Sequence, residues 1–374
     1  MSEPISVMLA AGGTGGHLFP AFALAEELQR RDVAVDLITD MRGDRYGSGF
    51  PARTVYQVPS ATLASRTASD VAKTTLALAR GTRAAFAILG QVKPRCVIGF
   101  GGYPTFPPLV AARMRSIPTA LHEQNSVLGR ANKMLAKRVT AIATSFENTK
   151  YLDGASAAKA TLTGNPVRKS VITAAQRPYE PPVAGGTIRI LVFGGSQGAR
   201  YFSDAVPPAL IELPDDVRAR LVITQQAREE DLDRVRTAYE RSGIDADVAP
   251  FFKDLPDRMA EAHLVIGRAG ASTVAELTAM GRPAILVPLP HALDNDQLNN
   301  ALRLAESGGG WCLEQKNLTA ERLADEIERL VAAPIVLAAA AEAAKKAGRP
   351  DAVARLADFV LALAEGRALE SKSR

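Results

Sequence analysis

Apolar and polar positions alternate along this chain in a regular order of short apolar runs and longer amphipathic stretches. Ile5–Ala11 is a short apolar run that reads as a buried strand, and the stretch from Leu18 to about Arg31 carries a helical pattern. Strand-like runs recur at 33–39, 54–58, 95–100, 118–122 and 139–143, with helical patterns between most of them. A second series follows at 188–193, 220–224, 246–249, 264–267 and 284–287, and Ala-rich helices follow Leu318. Strands alternating with helices predict parallel α/β sheets. The Pro- and Gly-rich segment 177–186 reads as a linker between two such domains.

At 374 residues the chain is long enough for two domains with cores that need no disulfides. Cys96 and Cys312, in predicted strands far apart in sequence, are expected to be reduced core residues of a cytosolic protein. The start Met-Ser-Glu-Pro lacks the basic and then apolar pattern of a secretory signal, and no run approaches bilayer-spanning length. A soluble protein, or one attached to a membrane surface, is expected. The four histidines and two cysteines show no paired metal-ligand spacing, so no metal site is expected.

Charge changes this picture. Residues 66–138 hold 12 Lys and Arg against 2 Asp and Glu, which predicts an anionic partner for the first half. Few aromatics lie among these bases, which argues against single-stranded nucleic acid. In the helical stretch 66–94, Lys73, Arg80 and Arg83 share a face around Leu76, with Ala79 and Phe86 along its apolar edge. That face suits either a core helix or an in-plane contact with an anionic membrane, to which Arg130, Lys133, Lys137 and Arg138 would add.

The candidate chemistry lies in loops that follow strands, where open α/β sheets bind ligands. Gly12-Gly13-Thr14-Gly15-Gly16-His17 joins a strand to a helix and predicts an anion site of backbone N–H groups. It is neither a dinucleotide fingerprint nor a P-loop. Asp36 and Asp40 keep an NAD-dependent oxidoreductase open as an alternative. His17, at the helix start, is expected to have a lowered pKa and to act as a neutral base, or else as a structural cap. Thr273 and Glu276 fit a capping box, or Glu276 binds ribose hydroxyls. Asp294, Asn295, Asp296, Gln297, Asn299 and Asn300 form a cluster suited to sugar hydroxyls, of which an N-cap at Asp294 would explain one member.

GGTGGH, GFGGYPT, HEQN, TGNPVR, GGSQGA, GRAGASTVAEL and HALDNDQLNNA occur in the order found in the MurG-type transferases of glycosyltransferase family 28. The chain resembles that family over roughly residues 5–330. The resemblance implies a GT-B fold: α/β, with two Rossmann-like domains whose parallel sheets face across a cleft. It divides the chain into an acceptor- and membrane-facing domain, residues 1–164, and a UDP-GlcNAc-binding domain, residues 165–349, with a helix at about 350–366 returning to the first. It implies inverting transfer of GlcNAc from UDP-GlcNAc to the C4 hydroxyl of the MurNAc-pentapeptide of lipid I, without a cofactor or built-in metal. The product, lipid II, serves peptidoglycan synthesis and with it cell shape and division. The expected place is the cytoplasmic face of the bacterial inner membrane, in contact with cell-wall synthesis complexes.

Carried over by motif, Ser196, Gln197, Ala271, Ser272 and Thr273 would hold the donor, with Glu276 on the ribose and the Phe252 backbone on the uracil. Gln297 would contact the GlcNAc hydroxyls, with Asp294 and Asn300 nearby. Thr14, Gly15, Gly16, Asn125 and Arg168 would complete the donor site. Gly13 to His17 with Gly101, Gly102 and Tyr103 would cradle the acceptor diphosphate, and His17 would be the base or an electrostatic group. Asp296 departs from the Gln or His that relatives often carry there. Other readings are a diacylglycerol glucosyltransferase, a UDP-GlcNAc 2-epimerase and a non-catalytic membrane scaffold.

Overall fold

The computed structural model describes residues 5–13, 15–40, 49–61, 67–195, 200–290 and 293–369. The chain divides into two compact units, residues 1–168 with 350–374 and residues 169–349.

Among the described residues the first unit holds strands β1 (Ser6–Ala10), β2 (Ala34–Thr39), β3 (Thr54–Gln57), β4 (Cys96–Gly99), β5 (Thr119–Glu123), β6 (Ala141–Thr144) and β7 (Ala160–Leu162). They pair in parallel in the order β3-β2-β1-β4-β5-β6-β7. Val7 and Leu9 of β1 face one core with Leu24 and Leu28, while Met8 faces the other with Leu89 and Leu109. Successive strand side chains point to opposite faces, so a sheet covered on both sides needs apolar residues at every position. The helix Ala352–Ala364 covers the first face through Leu356, Val360 and Leu363. Its Asp358 pairs with Arg31, which directly follows the helix Gly15–Arg30.

The second unit holds β8 (Ile188–Phe193), β9 (Leu221–Gln226), β10 (Asp245–Ala249), β11 (Leu264–Gly267), β12 (Ala284–Leu286) and β13 (Gly310–Cys312). Their parallel order is β10-β9-β8-β11-β12-β13. In both sheets the strand order reverses beside the first strand, between β1 and β4 and between β8 and β11. Those are the switch points where doubly wound sheets bind ligands.

The segment 177–186, expected as a linker, belongs to the second unit. Its anchor is Arg282, fully buried, whose guanidinium donates to the carbonyls of Arg177, Pro178, Ala260, Met280 and Gly281 at 3.0–3.3 Å. The short strand β7 was not among the expected ones, whereas β13 holds Cys312, which was expected in a strand. Cys96 is a buried free thiol, which burial pushes up to about 12, and Cys312 is a half-buried one.

Candidate active site

At the first switch point, β1 runs into Gly12 and Gly13, and the helix Gly15–Arg30 starts at once. Thr14 lies outside the described residues. A Cβ on Gly12 would stand 2.9 Å from Asp40 Oδ1, 3.0 Å from Thr39 Oγ1 and 3.1 Å from Pro104 Cβ, so only glycine brings β1 this close to its neighbours. From β4 the chain turns through Gly101 and Gly102, both at positive φ, into the short helical turn Tyr103–Thr105. The His17 ring packs on these glycines: a Cβ on either would stand 3.2 Å from a ring carbon. The structure therefore brings together Gly13, Gly15, Gly16, His17, Gly101, Gly102 and Tyr103.

The end of β5 adds a polar layer. His17 Nδ1 lies 3.2 Å from Gln124 Oε1, and Gln124 Nε2 lies 2.9 Å from His122 Nδ1 and donates to the His122 carbonyl at 3.0 Å. His122 Nε2 meets the Gly164 carbonyl at 3.0 Å. Burial lowers the pKa of His17, while hydrogen bonds with Gln124 and the Phe100 backbone act the other way. Burial brings His122 to about 4. The lowering of His17 expected at a helix start is present, and desolvation is its largest cause.

Buried Glu123 accepts from the N–H groups of Asn125 and Gly129 at 3.0 and 2.8 Å and from Asn132 Nδ2 at 2.8 Å, which fixes the loop that carries Asn125. Arg168 closes the first unit with its guanidinium 5.2 Å from the Phe19 ring centre, on the helix that carries His17. Asp36 is unavailable to a ribose: it is fully buried within β2 and paired with Arg53. Asp40, the other acid offered for that reading, is buried as well.

At the second switch point, Gly194 and Gly195 follow β8, and Ser196 and Gln197 lie outside the described residues. Gln226 Oε1 accepts from Gly194 N at 3.2 Å and Gln226 Nε2 donates to the Pro250 carbonyl at 3.1 Å. One side chain so ties the glycine loop to the loop that carries Phe252. The Phe252 ring is buried under the Arg258 guanidinium, 4.3 Å from its centre, whereas Phe251 is exposed.

The helix Ala271–Met280 has Gly270 as its N-cap and no side-chain cap bond. Thr273 is its third residue and Glu276 its sixth, so the capping box expected from the sequence does not form. A glutamate six residues in cannot return to the cap N–H. Glu276 is nonetheless buried. Ala271, Ser272 and Thr273 start the helix with their N–H groups outside the intrahelical ladder, an arrangement that favours anions.

The sugar-type cluster is held at the start of the helix Asp296–Glu306. Asp294 and Asn295 sit at φ 61° and 53°, a left-handed pair that costs roughly 1–2 kcal/mol per residue. Asn295, not Asp294, is the N-cap, so the expected cap at Asp294 is absent. Gln297 Oε1 accepts from Leu289 N at 3.0 Å, and Asn300 Nδ2 donates to the Ala269 carbonyl at 3.1 Å. Asp296 Oδ1 accepts from the Gln297 N–H at 2.8 Å, and burial pushes its carboxyl up. Arg268 binds these loops together, donating to the carbonyls of Val287 and Pro288 and to Gln315 Oε1 at 2.8–3.1 Å.

Gln124, Gln226 and Arg268 were missed as site-forming residues. Gln124 and Arg268 lie inside the quoted motifs, whereas nothing in the local sequence marks Gln226.

The glycosyltransferase family 28 N-terminal domain model matches residues 7–144 and the C-terminal domain model matches residues 189–356. A protein of Chelativorans sp. (strain BNC1), named UDP-N-acetylglucosamine--N-acetylmuramyl-(pentapeptide) pyrophosphoryl-undecaprenol N-acetylglucosamine transferase, is 52% identical over 99% of this chain and 98% of its own. A protein of the same name from Rhodopseudomonas palustris (strain ATCC BAA-98 / CGA009) is 53% identical over 96% and 98%. Among solved structures, Acinetobacter baumannii MurG is 30% identical, covers 96% of this chain and 99% of its own, and superposes with a TM-score of 0.79. A putative UDP-N-acetylglucosamine 2-epimerase from Listeria monocytogenes, at 15% identity, 98% coverage of both chains and a TM-score of 0.68, shares the fold. The two domain models and the near full-length relatives show that the chain belongs to glycosyltransferase family 28, among the MurG-type UDP-GlcNAc-dependent transferases.

Proposed function

We propose that this enzyme transfers GlcNAc from UDP-GlcNAc to the C4 hydroxyl of the muramyl sugar of lipid I, with inversion, and so makes lipid II for peptidoglycan. The observation that carries this reading is the identity of about half the residues, over nearly the full length, to proteins named for that reaction. The acceptor hydroxyl must lose a proton and the departing UDP must be stabilised as a diphosphate. In the first unit, His17 takes the proton, the N–H groups of Gly13–Gly16 with Gly101, Gly102 and Tyr103 hold the acceptor diphosphate, and Thr14, Gly15, Gly16, Asn125 and Arg168 serve the donor. In the second unit, Ser196, Gln197, Ala271, Ser272 and Thr273 hold the donor diphosphate, Glu276 the ribose, the Phe252 backbone the uracil and Gln297 the sugar.

The lipid-linked acceptor calls for a membrane-facing surface. On the helix Ala68–Val92, Lys73, Arg80 and Arg83 are exposed beside Leu76, which is 52% exposed. Met114, 65% exposed, stands between Arg113 and Arg115 on the helix packed against it. Among the described residues no helix is long and apolar enough to cross a membrane. Mixed basic and apolar exposure suits peripheral attachment to an anionic surface, here the cytoplasmic face of the inner membrane.

The test uses radiolabelled UDP-GlcNAc and a lipid I analogue, with and without EDTA. Label in the lipid product, unaffected by EDTA, is expected. Retained UDP binding without transfer would overturn the acceptor assignment and favour an epimerase.

A further inference from the structure

A base at His17 needs a lone pair on the nitrogen that meets the acceptor, and a neutral imidazole offers one on either side. The residues behind the ring decide which. The Gly164 carbonyl can only accept, so His122 Nε2 carries the hydrogen in the 3.0 Å contact between them. A neutral His122 then has an unprotonated Nδ1, which accepts from Gln124 Nε2 at 2.9 Å. The same Nε2 donates to the His122 carbonyl at 3.0 Å, which independently fixes the orientation of the Gln124 amide. Gln124 Oε1 is therefore the atom turned to His17, and His17 Nδ1, 3.2 Å away, is its donor, beside the hydrogen bond that the ring makes with the Phe100 backbone.

We infer that Gly164, His122 and Gln124 form a one-directional hydrogen-bond relay that locks His17 as its Nδ1–H tautomer and leaves the lone pair on Nε2. The carbonyl at the far end sets the polarity of the whole chain. Gln124 and His122 are then positioning residues, and the inference deepens the proposed role of His17, on which its catalytic half rests. In the transfer step the acceptor O–H proton goes to Nε2 as the oxygen bonds to the anomeric carbon. The bond from that carbon to the UDP oxygen breaks, and the electron pair leaves with UDP. Gln124 is uncharged and takes no proton, so the positive charge stays on the imidazole until solvent or product removes it. This differs from a histidine backed by a carboxylate, where a negative charge stabilises the imidazolium. The titratable group facing His17 is His122, which burial holds neutral, while Glu123 on the same strand is engaged by its own donors.

The experiment is nitrogen-15 NMR of the histidine rings in the full-length protein, with His17 assigned by its loss in His17→Ala. The expected result is a protonated Nδ1 and an unprotonated Nε2 on His17; the reverse tautomer overturns the relay. Gln124→Leu should lower kcat about 10–100-fold, a fraction of a base's usual contribution, with KM for UDP-GlcNAc within about twofold and a mixed tautomer signal. Unchanged kcat with an unchanged tautomer also overturns the relay. Gln124→Glu places a carboxylate at Nδ1–H and should move the acid limb of the kcat–pH profile to higher pH, a shift that a purely structural role would not produce. If wild-type His17 shows the Nδ1–H tautomer but His17→Ala keeps its turnover, the base assignment fails and the relay stands.

Discussion

Arg282→Lys should destabilise the second unit by about 2–4 kcal/mol without altering its ligand chemistry. Arg282 is fully buried and makes five hydrogen bonds to carbonyls, two of them to Arg177 and Pro178. Lysine has three N–H donors on one nitrogen, so at least two of the five carbonyls lose their partner. An unsatisfied buried acceptor costs about 1–3 kcal/mol, so two cost about 2–6 kcal/mol, and partial access of water to the carbonyls of residues 177 and 178 keeps the sum in the lower half, about 2–4 kcal/mol. The assay is urea unfolding followed by the fluorescence of Trp311, the single tryptophan, which lies on β13 and therefore reports this unit alone. The midpoint should fall with an unchanged slope. UDP affinity of the folded protein should be retained, because Arg282 meets the C-terminal end of the helix whose N-terminal end is proposed to serve the donor. A midpoint change equivalent to less than about 1 kcal/mol would refute the claim that these bonds anchor residues 177–178.

Glu276→Ala should weaken UDP-GlcNAc binding by about 1–3 kcal/mol, read by calorimetry; unchanged affinity would remove the ribose role. His17→Ala should cost far more in turnover than in donor affinity. Because burial lowers the His17 pKa, the wild-type enzyme should stay active at pH values below the ordinary histidine range, losing activity only as the base protonates. An acid limb above that range would contradict the desolvated environment. Charge reversal at Lys73, Arg80 and Arg83 should reduce binding to anionic vesicles and spare activity on a soluble acceptor analogue. Vesicle binding that persists would place the membrane surface elsewhere.

The alternation of strands and helices was legible because buried parallel strands are continuous apolar runs and the loops after them are rich in glycine. β7 escaped because three residues with mixed burial carry almost no periodic signal. Segment 177–186 misled for a physical reason: its Pro and Gly content marks irregular backbone, and irregular backbone can be anchored as firmly by a buried arginine as a helix is by its core. The capping box failed similarly, since Thr273 and Glu276 have the right spacing but Gly270 starts the helix three residues earlier. His17, Glu276 and Gln297 could be singled out because their motifs are local. The partners that orient them, Gln124 for His17 and Arg268 for the loops around Gln297, act across strands, and the register that brings them together is not written in any one segment.

The return of the helix Ala352–Ala364 to the first unit bears on the order of events during synthesis. The apolar face formed by Leu9, Leu24 and Leu28 is covered by Leu356, Val360 and Leu363, which leave the ribosome only after the whole second unit. At about 5–20 residues per second, the second unit takes roughly 10–40 s to translate. Throughout that interval the first sheet waits with an open apolar side, while the second unit, continuous from 169 to 349, can close before the first is complete. A nascent chain stalled before residue 350 should therefore expose its earlier half, not its later half, to holdase chaperones and proteases.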